Sequence, residues 1–222
     1  MFVLWDPTAF VQGLWQGVFQ LLALALVAAF GTFIYQRRQA RYHLRDELID
    51  SINQFAISLY KPRKLYQAII DQTCDPLAHC ADSSHREARR LETIYRALED
   101  VVAATGQFRA LQVKLIPLYG HDSEIFGYYM AIWRYLKDVR DRMGRAETLY
   151  FRGEGPDSPD AFYLLIDGFR YRIMLRPFVR RPPGLAKPAP AVLVELRRHG
   201  DEIYAEYFPE PAAEAPGVVA TP

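Results

Sequence analysis

Four side chains of metal-binding type fall close together in this chain: Cys74, His79, Cys80 and His85. Thiolate and imidazole both ligate zinc, so these four are its candidate metal ligands. The spacing suits that chemistry poorly. Structural zinc sites pair their cysteines at roughly two to four intervening residues, and the adjacent His79 and Cys80 are hard to aim at one ion. The expectation is a plain loop with two free thiols, and no metal or other cofactor.

A second constellation, His121-Asp122-Ser123, contains the three residue types of a hydrolytic triad. A triad needs hydroxyl, imidazole and carboxylate to converge in space, which three consecutive residues cannot supply by themselves. Asp122 or Ser123 is expected to cap a helix instead. Arg170, Arg172 and Arg176 form a basic cluster that is the candidate anion-binding set, suited to a nucleotide or a phospholipid head group. The run Lys61-Pro62-Arg63-Lys64 is read as a solvated face around a kink, or a partner contact. Tyr128, Tyr129, Trp133, Tyr135, Tyr163 and Tyr171 are read as core and interface bulk rather than the floor of a pocket. No P-loop, GxGxxG, HExxH or GxSxG motif occurs.

The element around which these residues are arranged is Leu14 to Tyr35, an uncharged apolar stretch. A hydrocarbon core of about 30 Å needs about 20 apolar residues in helix, and a segment in lipid must satisfy its own backbone groups. Arg37, Arg38, Arg41 and Arg45 follow the stretch, and no Lys or Arg precedes it. A basic flank is held in the cytoplasm, so the N-terminus is expected outside and the rest of the chain inside. The missing positive region before the apolar core argues against a cleaved signal peptide. Gln12, Gln16 and Gln20 recur on one helix face beside Gly13 and Gly17, a pattern that permits two such helices to associate.

Beyond the apolar stretch the helix is expected to continue, since Leu44, Leu48, Ile52, Phe55 and Leu59 step by three or four. Pro62 should kink or restart it, with Leu65, Tyr66, Ile69 and Ile70 resuming the pattern. Residues 71–83 read as a loop. Ser84 and Glu87 form a capping-box pattern, opening a helix with the stripe Leu91, Ile94, Tyr95, Leu98, Val101 and Val102. Past Gly106, Phe108, Leu111 and Leu115 continue the pattern until Pro117 and Gly120 close the helix. Ile125, Tyr129, Ile132, Leu136, Val139 and Met143 make a heptad-like seam, with Gly144 as its C-cap. Ser158-Pro159-Asp160 reads as N-cap, first helical position and dipole-matched acid, before the stripe Phe162, Leu165, Ile166, Phe169 and Ile173. A stiff Pro-rich linker then leads to a short amphipathic helix from Val192 to Phe208, weakened by Gly200, and a polar tail.

The fold class expected is all-α: one N-terminal transmembrane helix running into a cytoplasmic antiparallel bundle of about four helices, with a Pro-rich linker and a short C-terminal helix. The domains expected are residues 1–36 for the anchor, 37–181 for the bundle, and 182–222 for linker, short helix and tail. Lys and Arg number 27 against 26 Asp and Glu, which removes any global attraction to nucleic acid. Arg greatly outnumbers Lys and Asn53 is the single asparagine, a bias of GC-rich, bacterial genomes; the membrane expected is therefore the inner, cytoplasmic one. Its partners are the lipid bilayer and another protein or a second copy of itself. The function expected is a non-enzymatic scaffold, sensor or accessory subunit docking a partner at the membrane. The alternative is a membrane-tethered enzyme or metal-dependent effector acting on an anionic ligand.

Overall fold

The computed structural model describes residues 7–72, 83–147, 149, 160–179 and 188–209. Among them every regular element is helical: α1 Pro7–Gln72, α2 Ser83–Tyr119, α3 Ser123–Gly144, α4 Ala161–Leu175 and α5 Pro190–Tyr207. The chain divides into two compact units, Met1–Leu44 and Arg45–Pro222, and α1 contributes to both.

The first unit is the apolar part of α1, by length and composition long enough to cross a membrane. Its most apolar stretch buries nothing. Phe19, Leu22, Leu26, Phe30 and Phe33 are all more than half exposed, so the side chains point outward around the whole circumference. Thr32, one of its few polar residues, donates its hydroxyl back to the Ala28 carbonyl at 2.8 Å and leaves no orphan donor.

The second unit holds the core. From α1 it takes Leu48, Ile52, Phe55, Leu59, Tyr66 and Ile70, the face expected from the three-and-four spacing except for Leu44 and Leu65, which are exposed. The helix does not restart at Pro62 but runs through it to Gln72. The stripe therefore keeps its phase, and Arg63 falls within it. α2 likewise runs through Gly106, and its core face agrees with the expected one in part: Ile94, Val101, Phe108, Leu111 and Leu115 are buried as expected, whereas Ala97, Ala104 and Leu118 lie outside the expected stripe. Leu91, Tyr95 and Val102 are exposed, and the buried set is Ile94, Ala97, Val101, Ala104, Phe108, Leu111, Leu115 and Leu118. These step strictly by three and four; two alanines sit inside the stripe, where small side chains let neighbours approach. Phe108 lies between Phe55 of α1, at 4.8 Å between ring centroids, and Tyr129 of α3, at 4.7 Å.

α3 packs against α2, α4 and α5. Its whole expected seam is buried, and Phe126, Gly127, Ala131 and Tyr135 add a second buried face. Asp122 is its N-cap, accepting from the Glu124 and Ile125 amides. Gly144 is the last helical residue rather than the cap; Arg145 caps, and the left-handed position is taken by Ala146 at φ 56°. At the end of α2, Gly120 adopts φ 66° and returns its N–H to the Ile116 carbonyl, the expected glycine closure.

α4 buries the five residues of its stripe, Phe162, Leu165, Ile166, Phe169 and Ile173. Its cap is Asp160, not Ser158, so the helix starts later than the Ser-Pro-Asp pattern suggests. α5 is a close-packed element rather than a weakened appendage. A Cβ on Gly200 would stand 2.5 Å from Met130 Cβ and 3.2 Å from the Ala131 amide nitrogen, so the missing side chain is what lets α5 lie against α3.

Candidate functional site

Arg63 is the one charged residue among the described residues that is fully buried, at 0% exposure. The expectation of a solvated basic face is thus corrected at its centre, while Lys61 and Lys64 on either side are exposed. Its Nη2 donates to both carboxylate oxygens of Asp160, at 3.1 and 2.9 Å. The guanidinium carbon lies 4.9 Å from the Phe162 ring centroid and 5.3 Å from that of Tyr135. A weakly hydrated, planar cation can be held between aromatic faces where an ammonium would be costly to desolvate. Asp160 does two things at once, since its Oδ1 also accepts the Phe162 amide as the α4 cap.

Two further α1 residues act in the same neighbourhood. Tyr66 donates its hydroxyl to the Glu147 carbonyl at 2.6 Å, and the Gln67 amide oxygen accepts from the Leu149 N–H at 3.1 Å. The last turns of α1 thereby fasten both ends of the α3–α4 connection. Burial pushes the Tyr66 phenol up, helped by the nearby Glu147 carboxylate and opposed by Arg90. Tyr135 is raised further by complete burial, against the opposing charge of Arg63. Burial likewise pushes Tyr119 and Tyr129 up to about 12. Tyr204 reaches about 12 through burial, then the charge of Asp138 and the hydrogen bond to it. These hydroxyls stay protonated at neutral pH, fit for donating hydrogen bonds and unfit as bases.

The candidate anion-binding arginines all face carboxylates. Arg170 pairs with Asp167 at 3.0 Å and Arg172 with Glu124 at 3.2 Å, while Arg176 contacts both Asp122 and Glu124. Asp122, the middle of the triad-like run, therefore joins an ion-pair cluster at the start of α3. His121 packs edge-on against Phe126, with 5.5 Å between ring centroids, and Ser123 is exposed. The three do not converge as a catalytic set. Cys74, His79 and Cys80 lie outside the described residues, as does the side chain of His85. In the apolar part of α1, Gln16 and Gln20 are exposed and Gly17 has open space where a side chain would be. The side chain of Gln12 and the surroundings of Gly13 lie outside what is described. Of the aromatic set, Tyr129 and Tyr135 are core, Tyr128 and Tyr163 are half-buried, and Trp133 and Tyr171 are exposed.

A groove of about 740 Å³ lies between α2, α3 and α5, and sequence reasoning did not anticipate it. Arg109, Arg134, Lys137 and Arg197 line it together with Trp133, and Asp201 is its one acidic group. No sequence pattern announces it, because one cation comes from α2, two from α3 and one from α5. The chain matches no known protein family, no curated protein and no solved structure.

Proposed function

We propose that this chain is a single-pass protein of the bacterial cytoplasmic membrane, with its N-terminus outside and a cytoplasmic helical bundle that docks a partner without catalysing a reaction. The observation that carries the reading is the apolar part of α1, exposed around its full circumference and followed by Arg37, Arg38, Arg41 and Arg45. In water, each large apolar side chain left exposed forgoes about 1.5–3 kcal/mol of burial. Lipid removes that penalty, and the arginines set the orientation. Gln16 and Gln20 beside Gly17 would allow a second copy to pack along the same helix.

The non-enzymatic part of the reading is supported by what the buried charges do. Arg63 and Asp160 hold α1 to the start of α4 and cap that helix, which is structural work. Docking is supported by the outer face of α4, where Leu164, Tyr171, Met174 and Leu175 are all at least 45% exposed. Apolar groups gathered on one face of a short helix mark an interaction surface more often than isolated ones do. The bundle would then act as a scaffold, sensor or accessory subunit.

Two measurements test this. A reporter active only outside the cytoplasm, fused after Phe208, should be silent; strong signal would reverse the orientation. A photo-crosslinker at Met174 in native membranes should trap one defined polypeptide, either another protein or a second copy. A crosslinker at exposed Glu99 of α2 should not trap that polypeptide. Equal, diffuse products from both positions would remove the docking face.

A further inference from the structure

We propose that the groove between α2, α3 and α5 binds an organic phosphate: a compact polyanion attached to a planar or apolar group. This goes beyond the docking role and does not depend on it. Its basis is charge that the fold has left uncompensated. Arg109, Lys137 and Arg197 line the groove from three different helices, and among the described residues none has an acidic partner. Cations elsewhere on α3 and α5 are matched: Arg142 with Asp138 at 3.0 Å, and Arg198 with Glu202 at 2.7 Å. Within the groove only Arg134 has a carboxylate, Asp201 at 2.6 Å, and it also lies 4.6 Å over the Tyr204 ring. Four cations against one acid leave three positive charges facing one concavity. Bringing like charges together costs energy that an incoming polyanion would recover.

The walls narrow the chemistry further. Trp133 presents a 37% exposed indole to the groove, a surface on which a planar ring can stack. The Gln112 amide adds one donor and one acceptor. Guanidinium groups match phosphate oxygens through paired hydrogen bonds, and a lysine adds a point charge. The groove volume falls in the range of about 300–1,000 Å³ that small-molecule sites occupy. Two sources supply this chemistry, a soluble nucleotide and the head group of an anionic lipid.

The test uses the full chain in nanodiscs of phosphatidylcholine, titrated with ATP and separately with inorganic pyrophosphate while tryptophan emission is followed. Trp133→Phe assigns the signal, because the chain has two other tryptophans, Trp5 and Trp15. A soluble ligand gives a saturable change that weakens about tenfold or more in Lys137→Gln and in Arg197→Gln. Arg89→Gln, an exposed α2 position outside the groove, should leave it unchanged. Both groove residues are exposed and, among the described residues, have no ion-pair partner, so the variants should melt like the parent. In a second arm, phosphatidic acid replaces part of the phosphatidylcholine. A Trp133 shift that appears there without added ligand, and disappears in the same two variants, assigns the source to a lipid head group. Silence with ATP, pyrophosphate and phosphatidic acid overturns the proposal. So does a response that Lys137→Gln and Arg197→Gln both leave intact.

Discussion

Asp160→Ala is expected to destabilise the Arg45–Pro222 unit by about 3–5 kcal/mol, because it removes the carboxylate that faces a fully buried guanidinium. A domain's whole stability is about 5–15 kcal/mol, so this one change should bring the unit close to unfolding. The residue also caps α4, and loss of a cap alone costs about 1 kcal/mol. Asp160→Asn separates the two effects, since asparagine caps as well as aspartate but carries no charge. If the ion pair dominates, Asp160→Asn should be nearly as damaging as Asp160→Ala. Adding Arg63→Met to Asp160→Asn should then recover most of the loss, because no uncompensated charge is left buried. Thermal melts of the three variants decide the matter. Full stability in Asp160→Asn would show that the cap, not the charge, is what Asp160 contributes.

Leu136→Ala carries the second large effect. Leu136 is 1% exposed, in the middle of the α3 seam that α2, α4 and α5 pack around. Removing its branched end leaves a cavity and should cost about 2–5 kcal/mol. Lys137→Ala lies one residue along, about 100° around the helix, and is exposed. It should cost about 0.5 kcal/mol or less. Urea titration of the two variants, in the unit without its apolar segment, gives the comparison directly. Equal midpoints would mean that the seam is not core, and the helix packing built on α3 would fall with it.

The stripes of α3 and α4 were legible in the chain because their apolar residues occupy one face without competition. Once such a face is helical, burying it is the dominant gain, and the period alone names the residues. Asp122 and Gly120 were legible for a similar reason, as caps and closures use groups within four residues of one another. α2 was harder. Its chain offers Leu91, Tyr95 and Val102 on one side and Ala97 and Ala104 on another, and the bulkier set looks more like core. The structure buries the alanines instead, on the face that also carries Ile94, Val101 and Phe108, a choice that hydropathy alone does not make.

What the amino-acid sequence determined by itself is the helical class, the long apolar N-terminal helix, and most of the core-facing positions, all set by spacing over a few turns. Arg63 shows where that ends. Leu59, Arg63, Tyr66 and Ile70 continue the α1 stripe in steps of four, three and four, so the position is legible as inward-facing once Pro62 is allowed inside the helix. That an arginine can occupy it depends on Asp160, separated from it by 97 residues. The groove cations depend likewise on helices distant in sequence being brought side by side. Local periodicity tells which way a side chain points; only the tertiary structure decides what charge or ring it meets there, because electrostatic and packing energies are functions of distance in space rather than along the chain.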